Sequence, residues 1–281
     1  MDVPITEIRP RQPWWRLEWR EMWERRYLWR LLIRKELLAS YKQSLLGPVW
    51  FVLQPVLSAL LYAIFFGKLA RLSPIGVPRF LFFLSATVFW TYFQSITMGV
   101  AGSLVTNAHI LGKVYFPRLI APLTTAGVTS VHFVVNYIVL IAAYGAYCYR
   151  SAYVAQLTLA SIPVVLTLAL MTLLLGMGTG LWCAALGVRY RDIRISLPVV
   201  LQSWMFATPI IYPSSLVPLA WQRIYFMNPM AGIVETHRHL LFGTELPPPA
   251  LLGVGVVTTL VVLLSSLFVF NRTQRTFVDV I

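Results

Sequence analysis

Residues 162 to 186 read IPVVLTLALMTLLLGMGTGLWCAAL, twenty-five positions without a charged side chain. A helix rises about 1.5 Å per residue, so this stretch alone covers the roughly 30 Å hydrocarbon layer of a bilayer. Only helices and closed barrels satisfy their own backbone groups inside lipid, and a long run that is apolar on every side is a helix. Working outward, comparable runs predict membrane spans at about 45–66, 80–104, 119–149, 155–186, 195–212 and 250–270. The expectation is an all-α integral membrane protein with six transmembrane helices. The third and fourth runs exceed what a crossing requires and are expected to tilt or protrude. Composition agrees: of 281 residues, 58% are hydrophobic and 12% charged, a balance that only a lipid-facing exterior explains.

The chain divides into an N-terminal region (1–44), a transmembrane domain (45–270) with a polar turn at 105–118 and a mixed segment at 213–249, and a short tail (271–281). A net charge of +13 would direct a soluble protein toward nucleic acid. Here Lys and Arg lie outside the predicted spans and report orientation instead. Assigning alternate intervals to opposite sides puts 17 of the 23 basic residues with the two termini and six opposite them. The positive-inside bias then places both ends in the cytoplasm. Asp2, Glu7 and the lack of an apolar run before residue 31 are unlike a cleavable signal peptide, so insertion is expected to rely on the first span. Cys148 and Cys183 fall at opposite ends of consecutive spans, too far apart to pair within one chain.

The segment 213–249 mixes Pro213, Pro218, Arg223, Asn228, Pro229, Glu235, His237, Arg238 and Pro247 to Pro249 with apolar residues, as short re-entrant or interfacial helices do. Near the N-terminus, Pro13 can open a helix in which Trp15, Trp19, Met22 and Trp23 share one face, with Arg16, Arg20, Glu21, Glu24 and Arg25 around the rest. That is the pattern of a helix lying in the headgroup plane. Ser95, Gly99 and Ser103 recur every fourth residue, as do Thr172, Gly176, Gly180 and Ala184. Small residues so spaced are read as surfaces of close helix packing.

Several chemistries are disfavoured. No Asp or Glu occurs between Glu36 and Asp192, and no Lys or Arg lies inside a predicted span, whereas ion-coupled transporters place fixed charge at mid-membrane. A G-x-x-x-x-G-K-[ST] phosphate loop is absent, so any ATP must be hydrolysed on another polypeptide. His109, His132, His237 and His239 have no carboxylate or Cys at ligand or triad spacing, which argues against metal binding and against catalysis.

Arg34-Lys35-Glu36 through Tyr41-Lys42-Gln43-Ser44-Leu45-Leu46-Gly47-Pro48-Val49-Trp50 reads as a basic turn entering the first span through a Leu-Gly loop. Lys113-Val114-Tyr115-Phe116-Pro117-Arg118 lies between the second and third spans. Arg189-Tyr190-Arg191-Asp192-Ile193 precedes the fifth, and Asn228-Pro229-Met230 follows it. In this order, these stretches resemble the membrane subunits of type-2 ABC exporters, particularly the Wzm-like permeases that export O-antigen and related lipid-linked polysaccharides.

The resemblance implies a homodimer in the bacterial inner membrane, working with two ABC ATPase subunits that bind ATP and magnesium, while this chain holds no cofactor. It makes the segment with Asn107, Lys113, Tyr115, Phe116, Pro117 and Arg118 a coupling helix on the ATPase. Aromatic anchors inside a cationic rim suit a groove on a soluble partner. It makes the Trp-rich helix a gate admitting a polymer on a polyprenyl diphosphate, with Trp15, Arg16, Trp19, Arg20, Trp23, Arg25, Arg34, Leu46 and Gly47 as candidate gate and headgroup residues. Arg26 and Arg30 lie beside them, and arginine suits a diphosphate through its fork of donors. It places a periplasmic gate in two short helices within 213–242.

For the polymer path, Trp50, Gln54, Ser58, Leu61 and Phe65 follow helical spacing in the first span, as do Gln202, Phe206 and Pro209 in the fifth, with Tyr62 and Tyr212 nearby. An uncharged aromatic and amide lining would let a glycan slide. The same residues equally suit interfacial belts and interhelical hydrogen bonds. Two rival classes remain: a type-2 exporter of a drug, lipid, capsule or teichoic acid, and a membrane enzyme acting on a lipid-linked sugar. The missing carboxylate pairs count against the enzyme.

Overall fold

The computed structural model describes residues 26–41, 47, 49–70, 72, 76–106, 117–151, 153 and 156–273. Among them the chain is helical with no strand. In order come α1 (Arg26–Tyr41), α2 (Val49–Tyr62, running on as a π-helix over Ala63–Leu69), α3 (Arg79–Thr106) and α4 (Ile120–Ser151). Then follow α5 (Ile162–Arg189), α6 (Arg191–Phe206), the short α7 (Leu219–Tyr225), α8 (Pro229–Phe242) and α9 (Pro249–Thr273). Five helices are long and apolar enough to cross a bilayer: α2 with its π turn, α3, α4, α5 with the 3-10 turn before it, and α9.

The expected fifth span, 195–212, differs. α6 begins earlier and stops at Phe206, 16 residues in all, and residues 207–212 form turns. Pro209 accounts for part of this, because it lacks an N–H and disfavours helical backbone at Thr208. The N-terminal side also differs. Arg34, Lys35 and Glu36, expected in a turn, lie within α1, and Gly47 ahead of α2 has a φ of +50°, which suits glycine. The Trp-rich helix expected from Pro13 lies outside the described residues.

α3 is the axis of the bundle. Ten consecutive residues, Leu81 to Trp90, are buried, as befits a helix apolar all round. It packs most extensively against α5 and α4, and α9 lies on α5. The small-residue ridges make these contacts. A Cβ on Gly176 would lie 2.9 Å from Ile96, and one on Gly180 2.6 Å from Val100. Thr97 and Thr179 share a hydrogen bond at 2.9 Å within the same seam. Gly99 meets Thr125 of α4, and Gly178 meets the backbone of Leu263 in α9. Trp182 Nε1 donates to Ser265 Oγ at 3.1 Å across the α5–α9 contact.

Gly180→Ala should therefore destabilise by about 1 to 3 kcal/mol through overpacking. Gly145→Ala, where an added Cβ meets nothing within 4 Å, should leave thermal unfolding in detergent unchanged. Equal melting temperatures for the two variants would contradict the close α3–α5 seam.

Candidate functional site

α8 carries an ion pair inside the apolar body. Arg238 is 0% exposed and Glu235, one turn earlier, 5%. Arg238 Nη1 donates to Glu235 Oε1 at 3.1 Å, to the Pro209 carbonyl, and more distantly to that of Tyr212 at 3.5 Å. Nη2 donates to the Ile210 carbonyl at 3.0 Å and the Phe82 carbonyl at 3.4 Å. The guanidinium also sits 3.6 Å from the Phe82 ring centroid. Glu235 Oε1 accepts the Ser214 N–H at 3.3 Å. Carbonyls left without helical partners where α6 stops are thus taken up by a cation from α8. An isolated buried charge would be prohibitive, but one with a carboxylate and several carbonyls around it is sustained.

Asn228 makes a second clamp. Its Nδ2 donates to Thr208 Oγ1 at 2.8 Å and the Ala207 carbonyl at 3.2 Å, while Oδ1 accepts the Met230 N–H at 3.1 Å and caps α8. Pro229 follows at the first helical position. At the other end Gly243 takes φ +65°, and the hydroxyls of Tyr144 and Tyr153 donate to the carbonyls of Leu241 (2.7 Å) and Phe242 (3.4 Å). α8 runs antiparallel to α9: Gly232 faces Leu252, and Gly255 faces Pro229. The α7–α8 corner therefore lies beside α9 about 9 Å from its start, six residues along it.

α2 and α6 leave faces uncovered. On α2, Trp50, Leu61 and Phe65 are half or more exposed, Gln54 is exposed and Ser58 half-buried. On α6, Gln202, Ser203 and Phe206 are exposed beside Ile195, Val199 and Val200. Tyr62 joins the two helices, donating to Met205 Sδ at 3.4 Å. The Tyr212 hydroxyl donates to the Phe206 carbonyl at 3.0 Å and accepts from Tyr225 at 3.4 Å. Pro209, expected on the path face with Gln202 and Phe206, is instead buried against Arg238, because the chain turns inward after Phe206.

At the end of the bundle that carries α1, Arg34 is exposed, Pro117 buried and Arg118 half-buried, while Gly47 sits at a turn before α2. Asn107, Lys113, Tyr115, Phe116, Trp15, Arg16, Trp19, Arg20, Trp23, Arg25 and Leu46 lie outside the described residues. Among the histidines, His132 stacks on Phe51 with centroids 3.8 Å apart, and His237 Nε2 meets the Tyr137 hydroxyl at 3.3 Å. Sequence reading passed over the Glu235–Arg238 pair as part of a mixed stretch. Opposite charges three residues apart on an otherwise apolar helix were the available signal.

An all-helical chain with several bilayer-length apolar helices is a multi-pass membrane protein. Residues 27–242 match the family described as ABC-2 type transporter, and the chain belongs to that family. It is 26% identical over 259 residues to an O-antigen export system permease protein, RfbA, of Klebsiella pneumoniae, covering 91% of this chain and 96% of that one. The RfbA permease of Myxococcus xanthus is 27% identical over 266 residues, covering 92% and 97%. The polysialic acid transport protein KpsM of Escherichia coli is 21% identical over 248 residues, covering 87% and 92%.

Arg238→Met leaves Glu235 buried without its cation and should cost about 3 to 5 kcal/mol. The double variant Glu235→Gln, Arg238→Met should recover part of that loss. Thermal denaturation of the three proteins in detergent checks the order.

Proposed function

We propose that this chain is the permease subunit of an ATP-driven exporter that moves a polysaccharide carried on a polyprenyl diphosphate across the bacterial inner membrane. The observation that carries the reading is the uncovered, uncharged face of α2 and α6, where Gln54, Ser58, Gln202 and Ser203 alternate with Trp50, Phe65 and Phe206. A polymer rich in hydroxyls can exchange hydrogen bonds along such a face, and no fixed charge holds it at one place. Full-length similarity to permeases named for O-antigen export supports this substrate class. The KpsM similarity favours, as a second reading, a capsule-type polymer.

In this reading the unit is a homodimer, since one copy leaves the α2 and α6 faces open, and each copy is served by one of two ABC ATPase subunits. α6 counts as a sixth, broken span, and the α7–α8 corner re-enters the outer leaflet as a periplasmic gate. Both termini are cytoplasmic. The chain itself is no enzyme: ATP and magnesium belong to the partner, and the segment 105–118 receives the stroke of nucleotide-driven closure. The N-terminal Trp-rich helix and its arginines admit the lipid-linked diphosphate.

Phe116→Ala and Arg118→Ala, reconstituted with the ATPase, should lower glycan export about tenfold or more while ATP turnover persists. Normal export by both variants would remove the coupling assignment. Movement of cargo by the permease alone on an ion gradient would remove the whole reading.

A further inference from the structure

α2 rests on the bundle along a narrow ridge. Its buried residues are Pro55, Ala59, Ala63 and Gly67, spaced by four, and Phe51 continues the same line by one turn. At that end the ridge meets α4, where the Phe51 ring stacks on His132. α2 and α4 run in the same direction, because each is antiparallel to α3. Tyr62 lies against Phe83 and Gly67 against Arg79, while Gly99 lies against Thr125 and Phe89 against Phe133. Asn136, one turn beyond His132 on α4, therefore comes at the height of Pro55.

The face of α4 that carries His132 is polar. Thr125, Thr129, His132 and Asn136 are spaced by four, three and four, which keeps them on one side of the helix. Thr129 and Asn136 are 8% and 9% exposed. The two threonine hydroxyls donate to the carbonyls of Ala121 and Thr125, at 3.4 and 2.8 Å, which leaves their oxygens able to accept. His132 Nε2 and Asn136 Oδ1 are both buried and have no hydrogen-bond partner among the described residues. Pro55, the α2 residue at that height, has no N–H to offer. A buried acceptor in this condition is costly, and inside a bilayer no bulk water relieves it.

We propose that His132, Asn136 and Thr129 bind one water molecule at the joint between α2 and α4. Residues three and four apart on a helix lie about 5 to 6 Å apart at Cβ, so their polar tips are within reach of a single bridging molecule. With Nε2 protonated, His132 donates to the water oxygen, and the water donates its two hydrogens to Asn136 Oδ1 and Thr129 Oγ1. Three partners are what a buried water ordinarily has. The three side chains offer no carboxylate or thiolate, which suits water and not a metal ion. A contact made through water holds nearly as well as a direct one. It can also be re-formed without unpacking side chains, so α2, the helix with an open amide and aromatic face, is joined to the core at this end by a link that yields. The inference rests on packing and goes beyond the export reading, since it holds whatever the cargo.

The test is X-ray hydroxyl-radical footprinting of the full chain in lipid nanodiscs, read residue by residue by mass spectrometry. A water ionised in place oxidises the side chains beside it, so His132 and Phe51 should take up oxygen within milliseconds. Asn136→Leu keeps the volume and removes an acceptor, and should abolish most of that uptake while half-exposed His239 keeps its rate. Thr129→Val should show part of the same loss, and it decides the matter if Asn136→Leu fails to insert. Thermal unfolding gives a second reading. With the water bound, Asn136→Leu breaks a satisfied bridge and should lower the melting temperature by about 2 to 4 °C. Oxidation of His132 that ignores these substitutions would overturn the proposal. A higher melting temperature for Asn136→Leu would also overturn it, because the native acceptor would then have had no partner to lose.

Discussion

A guanidinium with no access to water holds one end of this molecule in place. Arg238 is reached by carbonyls from the end of α6 and from the start of α3, and by the carboxylate of Glu235. The carbonyls of Pro209 and Ile210 would otherwise be stranded among apolar residues where α6 stops, at a cost of a few kcal/mol apiece. The cation needs them as much as they need it. One side chain therefore fixes where α6 ends, where α8 sits, and how both meet α3.

Around that fixture the bundle separates into two kinds of element. α3, α4, α5 and α9 interlock through glycines, threonines and aromatic rings. α2 and α6 touch this block along one side only and carry prolines inside them, Pro55 and Pro198, with α2 widening into a π-helix at its C-terminal end. Irregular winding of that kind concentrates where helices serve a function. The uncovered faces with amide and aromatic groups are on these two helices, the part of the bundle least committed to the core.

The long spans were legible because lipid demands one thing of them, twenty or so apolar residues, and that demand is local. Gly176 and Gly180 were legible as a packing ridge for a similar reason, since four-residue spacing on a helix is a geometric statement. The early end of α6 was not. Pro209 hints at it, but the group that stabilises the unwound turn lies twenty-nine residues onward at Arg238, and no local pattern links the two. α1 was likewise hidden: its arginines read as a turn, because two apolar stripes on one short helix blur the single periodicity that sequence reading looks for. Among the residues expected to line a path, Gln202 and Phe206 fall on an open face, while Pro209 is turned inward by that same distant contact.

The glycine seam between α3 and α5 has a mechanical meaning. Backbones that approach so closely, with Ile96 and Val100 seated over Gly176 and Gly180, mesh like teeth and resist gliding along one another. A load applied at one end of this pair would arrive at the far end as tilt of a stiff slab, not as shear between layers. Such a slab behaves as a lever whose two ends lie on opposite sides of the membrane.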